Sequence, residues 1–257
     1  MLYEKLKNTL FLIAGPCVIE SEKTTLQTAE FLKILSQKHK FLLVFKSSFE
    51  KANRTSSDSF VGLGIDRGMA ILEKVKSEFN LPILTDVHLP NQVPIAKEVC
   101  DILQIPAFLS RQTALLAEAG KSGKIVNIKK AQFMAAQDLE GAIDKCGSEK
   151  ILLTERGTSF GYHNLVVDFR NFIKMKSFGF PVVYDVSHSL QQPSIGKTSG
   201  GTPQFAIPLA KAALATGAVD GLFIETHPNP KEALSDGSTM LDFSQMERLA
   251  LLADARN

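Results

Sequence analysis

Eight short apolar runs recur along the chain, each followed by a polar loop and a longer stretch. They are LFLIAGP from Leu10, FLLVFKSS from Phe41, PILTDVH from Pro82, ILQIPA from Ile102, IVNIKK from Ile125, KILLTERG from Lys150, PVVYDVSH from Pro181 and GLFIETHP from Gly221. Near-continuous runs of this length are expected of strands covered on both faces in a parallel sheet. Start-to-start spacings of 20 to 41 residues leave room for the helix that each parallel crossover needs. Helical patterns fill the gaps over Thr24–Lys38, Asp66–Phe79, Gln204–Thr216 and Asp242–Ala253. Eight such units in 257 residues predict an α/β fold, a TIM (β/α)8 barrel spanning residues 1–257 as one domain. A doubly wound open sheet is the alternative.

At 44% hydrophobic and 22% charged residues the chain can bury a core, which excludes general disorder. A formal net charge of +2 exerts no global pull toward nucleic acid, so anion binding must come from a local cluster of cations. The longest apolar run, Leu10–Ile19, is broken by Gly15 and Pro16 and is too short to span a bilayer. It follows Lys5 and Lys7 and could imitate a signal peptide, but Pro16 beside the cleavage point argues for a buried strand. Cys17, Cys100 and Cys146 are odd in number and lack CxxC spacing, so a reducing cytoplasm without a disulfide framework is expected.

Polar and titratable residues gather where the predicted strands end: Cys17, Lys46, Asp86, His88, Gln104, Lys129, Glu155, Arg156, Asp185, His188, Glu225 and His227. Polar residues end strands in any case, but barrel geometry brings these ends to one face, where active sites are built. Lys46, Lys51, Arg54, Arg111, Lys129 and Arg156 exceed the needs of one phosphate and suggest two anionic substrates. Cys17, His188, Glu225 and Asp236 could hold a borderline divalent ion such as Zn, Fe(II) or Mn. A buried cysteine and a core histidine explain them equally well on spacing alone. Two connections, Ser47–Ile65 and Ser189–Pro203, are long enough for lids or binding loops. Gly196-Lys197-Thr198 echoes a P-loop, but Gln191 stands where the upstream glycine is required.

Taken in order, IAGPCVIES (Ile13–Ser21), FKSSFEKANRT (Phe45–Thr55), TDVH (Thr85–His88) and QIPAFLSRQT (Gln104–Thr113) form a familiar series. It continues with NIKK (Asn127–Lys130), TERGTSFGYHNLVVD (Thr154–Asp168), DVSH (Asp185–His188), SGG (Ser199–Gly201) and FIETHP (Phe223–Pro228). The chain resembles the 3-deoxy-D-manno-octulosonate 8-phosphate synthases, also called 2-dehydro-3-deoxyphosphooctonate aldolases. The resemblance implies a cytoplasmic homotetrameric transferase of lipopolysaccharide biosynthesis. Such an enzyme condenses phosphoenolpyruvate with D-arabinose 5-phosphate and water and releases phosphate, with neither nucleic acid nor membrane as partner. It further implies that Lys46, Lys51, Arg111, Lys129 and Arg156 hold phosphoenolpyruvate, with Gln104 lining that pocket. Asn53, Arg54 and Thr55 would receive the sugar phosphate, and Asp86 and His88 would flank the reacting centre. Lys46, Asn53, Asp86, His88 and His188 form the implied catalytic set. Cys17, where one class of the family carries Asn, implies the metal-dependent class: one divalent ion per subunit on Cys17, His188, Glu225 and Asp236. Thr55 departs from the family's usual Ser, and Ser110 from a residue often Ala or Cys. A sister synthase taking erythrose 4-phosphate usually carries a KPRT-type loop, whereas this chain has Lys51-Ala52-Asn53-Arg54-Thr55.

Overall fold

Successive side chains of a barrel strand point alternately into the barrel and out toward the helices. The structure, a computed structural model, describes residues 1–52, 60–159, 162–193 and 200–254. Its barrel strands are β1 (Phe11–Gly15), β2 (Leu42–Lys46), β3 (Ile83–Asp86) and β4 (Ile102–Ile105). They continue as β5 (Ile125–Lys129), β6 (Ile151–Glu155), β7 (Val182–Asp185) and β8 (Gly221–Glu225). All neighbours pair in parallel and in sequence order, and β1 closes against β8 in the register Phe11↔Gly221 to Gly15↔Glu225. Closure rules out the open-sheet alternative, which would leave two edges unpaired.

Helices α1 (Leu2–Asn8), α2 (Glu22–Lys38), α3 (Ile65–Phe79), α4 (Val93–Val99) and α5 (Thr113–Lys121) occupy the first half. The second half carries α6 (Leu139–Cys146), α7 (Arg170–Lys176), the single turn α8 (Val186–Ser189), α9 (Ala206–Ala215) and α10 (Phe243–Asp254). Local chemistry sets their ends. The Ser21 hydroxyl caps α2 by accepting from the Thr24 amide at 3.1 Å. Gly147 ends α6 in the left-handed region with φ 60°. The predicted helix Gln204–Thr216 divides into a 3₁₀ turn, Pro203–Phe205, and α9. Pro208 offers no N–H to the Gln204 carbonyl, so the α-helical ladder begins only after that turn. No helix among the described residues is long and apolar enough to cross a membrane.

Two apolar clusters follow from the alternation. Outward residues such as Leu12, Leu43, Phe45, Leu103, Val126, Leu153, Tyr184 and Ile224 pack in the layer between barrel and helices. Inward residues Phe11, Ile13, Val44, Leu84, Ile102, Ile125, Leu152, Val183 and Phe223 fill the barrel, joined by Leu6 of α1. Two residues further along the same inward rows, apolar side chains give way to Lys46, Asp86, Gln104, Asn127, Thr154, Asp185 and Glu225, all buried. Glycine is required at Gly15, where a Cβ would lie 2.0 Å from the Lys46 carbonyl oxygen. That close approach lets the chain after β1 turn beneath the Lys46 ammonium.

Candidate active site

A continuous polar chain crosses the barrel mouth. Thr154 donates to Asn127 Oδ1 at 2.6 Å, Asn127 to Gln104 Oε1 at 2.7 Å, and Gln104 to Asp86 Oδ1 at 2.7 Å. Ser48 donates to the other oxygen of Asp86 and accepts from Lys51 Nζ at 3.3 Å. Beside this chain Lys46 Nζ binds the Cys17 carbonyl and Glu225 Oε1, each at 2.9 Å, and lies 3.8 Å from Asp86 Oδ2. Lys129 Nζ binds Asp185 Oδ2 at 2.7 Å and sits 3.8 Å from the centroid of the Phe223 ring. Phe223 thus forms an apolar floor beneath both lysines, with Lys46 5.4 Å from the same centroid.

These contacts decide the charge states. Burial alone would raise the carboxyl of Glu225, but Lys46, His188, Lys51 and Lys129 outweigh it and bring its pKa down to about 2. Burial is likewise overcome at Asp86 by Lys46, Lys51 and Lys129, and at Asp185 by His188 and Lys129, so both sit well below the usual carboxylate range. The Cys17 thiol goes the other way: burial, reinforced by Glu225, pushes it well above its ordinary value. Arg156 is 5% exposed, and its Nη1 has no hydrogen-bond partner among the described residues. A buried guanidinium with one nitrogen left unpaired among the described residues is a receptor for an anion.

The predicted metal ligands come together in part. One ligand atom each of Cys17, Glu225 and Asp236 lies within 4.8 Å of the others. Cys17 Sγ is 3.0 Å from Asp236 Oδ2, and Glu225 Oε2 is buried with no hydrogen-bond partner among the described residues. His188 is outside that trio but adjoins it, with Nε2 3.6 Å from Glu225 Oε1. Asp185 holds the imidazole through Nδ1 at 2.9 Å, which leaves Nε2 to face the trio. A soft sulfur, hard carboxylates, an orphaned carboxylate oxygen and an oriented imidazole fit a borderline divalent ion.

Asp236 arrives from the β8–α10 loop. That loop is stitched to the barrel by Thr226 N–H to Gly15 O at 2.9 Å and Leu241 N–H to Glu225 O at 3.0 Å. Glu20 secures it further by accepting from the Leu234 amide at 2.7 Å. Asp236 itself has φ 51°, a left-handed conformation uncommon outside glycine and frequent at functional sites.

Not every predicted residue joins this cluster. His88 packs edge-on against Phe49 and lies 3.4 Å from Glu50, so it borders the mouth on the Asp86 side. Arg111 is exposed, follows the 3₁₀ turn Ala107–Leu109 that carries the chain away from β4, and lines a cleft with Phe133, Asp138 and Lys145. Asn53, Arg54 and Thr55 lie outside the described residues. Three participants have no assigned role in the sequence reading: Phe223, Gln191 and Asp185, the last noted only as polar at its strand end. Phe223 and Asp185 share the inward row of their strands, a signal that alternation could have supplied. Gln191 is marked only by its place in the long Ser189–Pro203 connection: it bonds Arg156 on one side and Asp236 on the other.

A closed parallel barrel with cations, carboxylates and a thiol gathered at the C-terminal strand ends is the architecture of a (β/α)8 enzyme. Residues 6–256 match the model of the DAHP synthetase I family, and the chain belongs to that family. Among its relatives is the 2-dehydro-3-deoxyphosphooctonate aldolase of Desulfatibacillum aliphaticivorans, 54% identical over 93% of this chain and 89% of the relative. Proteins of the same description from Protochlamydia amoebophila and Francisella tularensis subsp. holarctica are 49% and 50% identical, each over 95% of this chain and 90% of the relative.

Proposed function

We propose that the chain condenses phosphoenolpyruvate with D-arabinose 5-phosphate and water to give 3-deoxy-D-manno-octulosonate 8-phosphate and inorganic phosphate. The observation that carries this reading is identity at about half of all positions, over most of the chain, with relatives sharing one description. Lys46, Lys51, Lys129 and Arg156 hold the phosphate and carboxylate of phosphoenolpyruvate, and the unpaired Nη1 of Arg156 supports that role. Gln104 lines the pocket, its amide held between Asp86 and Asn127. Arg111, which the resemblance adds to this set, lines an outer cleft of the single chain with Phe133, Asp138 and Lys145. Asn53, Arg54 and Thr55 receive the sugar phosphate.

The chemistry is chiefly positioning. The enol carbon of phosphoenolpyruvate is a weak nucleophile and must be held at near-attack distance from the sugar aldehyde. As the carbon–carbon bond forms, positive charge develops at C2, and the carboxylates of Asp86, Asp185 and Glu225, beside the lysines that hold the substrate, are the groups to stabilise it. Water then adds at C2, and phosphate departs with cleavage of the C–O bond. Cys17, Glu225 and Asp236, with His188 beside them, hold one divalent ion, which when bound supplies Lewis acidity to the sugar carbonyl or to water. The protein acts in the cytoplasm as a homotetramer, on a step leading to lipopolysaccharide.

The test is phosphate release from phosphoenolpyruvate by chelator-stripped protein, with and without returned divalent ion. Arabinose 5-phosphate is expected to support release only after the ion returns. Erythrose 4-phosphate is the control, because a sister synthase to the family this chain resembles takes that sugar. Release with that sugar alone reassigns the substrate, and equal release without metal removes the ion from the reaction.

A further inference from the structure

Gln191 lies between the two halves of the site. Its Oε1 accepts from Arg156 Nη2 at 2.9 Å, and its Nε2 donates to Asp236 Oδ1 at 2.8 Å. The partners fix the amide's orientation, because a guanidinium can only donate and an ionised carboxylate can only accept. A flipped amide loses both bonds. Each partner also turns a second atom toward a different ligand. Arg156 Nη1 is the donor left unpaired among the described residues, facing the anion pocket, and Asp236 Oδ2 lies 3.0 Å from Cys17 Sγ in the metal trio. We infer that Gln191 is a positioning residue that couples the two sites, so that phosphoenolpyruvate and the divalent ion each tighten the binding of the other.

The inference rests on the function proposed above. An anion on Nη1 immobilises the guanidinium, which holds the amide, which in turn holds Asp236 with Oδ2 presented to the ion. Asp236 sits in a loop with φ 51°, so the amide is a side-chain anchor for its carboxylate beyond the backbone itself. Charge works in the same direction. The buried lysines are already answered by Glu225 and Asp185, so an anionic substrate is better tolerated once a cation joins the carboxylates. Because linkage is reciprocal, one titration measures the effect in both directions.

Chelator-stripped protein is titrated with Co(II), following the sulfur-to-cobalt absorption of Cys17, with and without saturating phosphoenolpyruvate. The wild-type Kd for Co(II) is expected to fall about tenfold with phosphoenolpyruvate, within the usual range for coupled sites. Gln191→Met keeps the length of the side chain but neither bond. It is expected to weaken Co(II) binding about tenfold, as loss of outer support for a metal ligand does, and to cut the coupling to about threefold or less. Gln191 and Gln192 form a short strand paired antiparallel with Gly200–Gly201, so Gln192→Met controls for that ribbon and is expected to retain the wild-type coupling. A wild-type Kd that ignores phosphoenolpyruvate overturns the inference while leaving the function standing. Full coupling in Gln191→Met also overturns it and assigns the link to Lys46 and charge alone. Failure of the wild-type protein to bind Co(II) overturns the metal reading and this inference together.

Discussion

At the scale of single residues, the site is a set of buried charges that hold one another ionised. The pKa of Glu225 stands at about 2 against an ordinary 4.5, so its stabilising effect is complete above about pH 4.5. As pH falls toward 2 the carboxylate takes up a proton and that effect is lost, and Asp86 and Asp185 shift in the same direction. Urea midpoints of chelator-treated protein are therefore expected to drop between pH 5 and pH 3, with a shallower drop in Glu225→Gln. An unchanged midpoint would contradict the charge assignments. Arg156→Ala removes a charge-assisted contact worth about 1.5–3 kcal/mol, which predicts a KM for phosphoenolpyruvate raised roughly 10- to 150-fold. Steady-state kinetics that leave KM unchanged would take Arg156 out of the pocket. Cys100 is fully buried with its thiol pushed up to about 12, and burial raises Cys146 as well. Both are expected to resist alkylation at pH 8 in the folded protein and to react once it is unfolded, as peptide mass mapping would report.

At the scale of elements, the alternation of each strand separates stability from chemistry. Inward residues near the strand starts are apolar and those near the ends are polar, so a strand buries its floor and presents its reactive groups with one backbone. Helix α1 completes the floor, a role invisible to periodicity because seven residues make barely two turns. Leu6 is fully buried there, and Tyr3 of the same helix donates to the Ile151 carbonyl at 3.2 Å. Leu6→Ala is expected to cost about 2–5 kcal/mol in urea unfolding, the usual range for emptying a core leucine site. The turnover number should hardly change, since α1 packs at the strand starts, near Ile151, and Lys46 and Glu225 stand at the strand ends. A stability loss under 0.5 kcal/mol would mean that α1 is not part of the folded floor. Legibility differed between elements for physical reasons. Strand starts read correctly to within one residue because apolar runs are bounded by polar loops. The β8–α10 loop is legible only as the carrier of Asp236, because its path depends on hydrogen bonds to Gly15 and Glu20, more than two hundred positions away in sequence.

At the scale of the whole molecule, closure is the decisive event. Cys17 and Asp236 are separated by 219 positions, yet β1 pairing with β8 brings their side chains to 3.0 Å. The proposed tetramer belongs to this scale too. Phe108 and Phe133 are 53% and 57% exposed, and Phe133 lines the cleft that contains Arg111. Sedimentation equilibrium is expected to give about four times the 28.1 kDa of one chain. A single-chain mass would remove the tetramer from the reading. What the sequence by itself determined was the list of strands, their parallel character and the chemistry carried at their ends. Those properties are local: hydrophobic periodicity, crossover length and residue type are all written along the chain. Only the tertiary structure decided which of the candidates meet. It set Lys46 between Glu225 and Asp86, placed His188 beside the Cys17 trio rather than within it, and carried Arg111 outward. It also put Gln191, which the sequence marks only as part of a long connection, between Arg156 and Asp236. Such meetings depend on where closure and loop return bring distant backbone together, and neither residue type nor spacing encodes that distance.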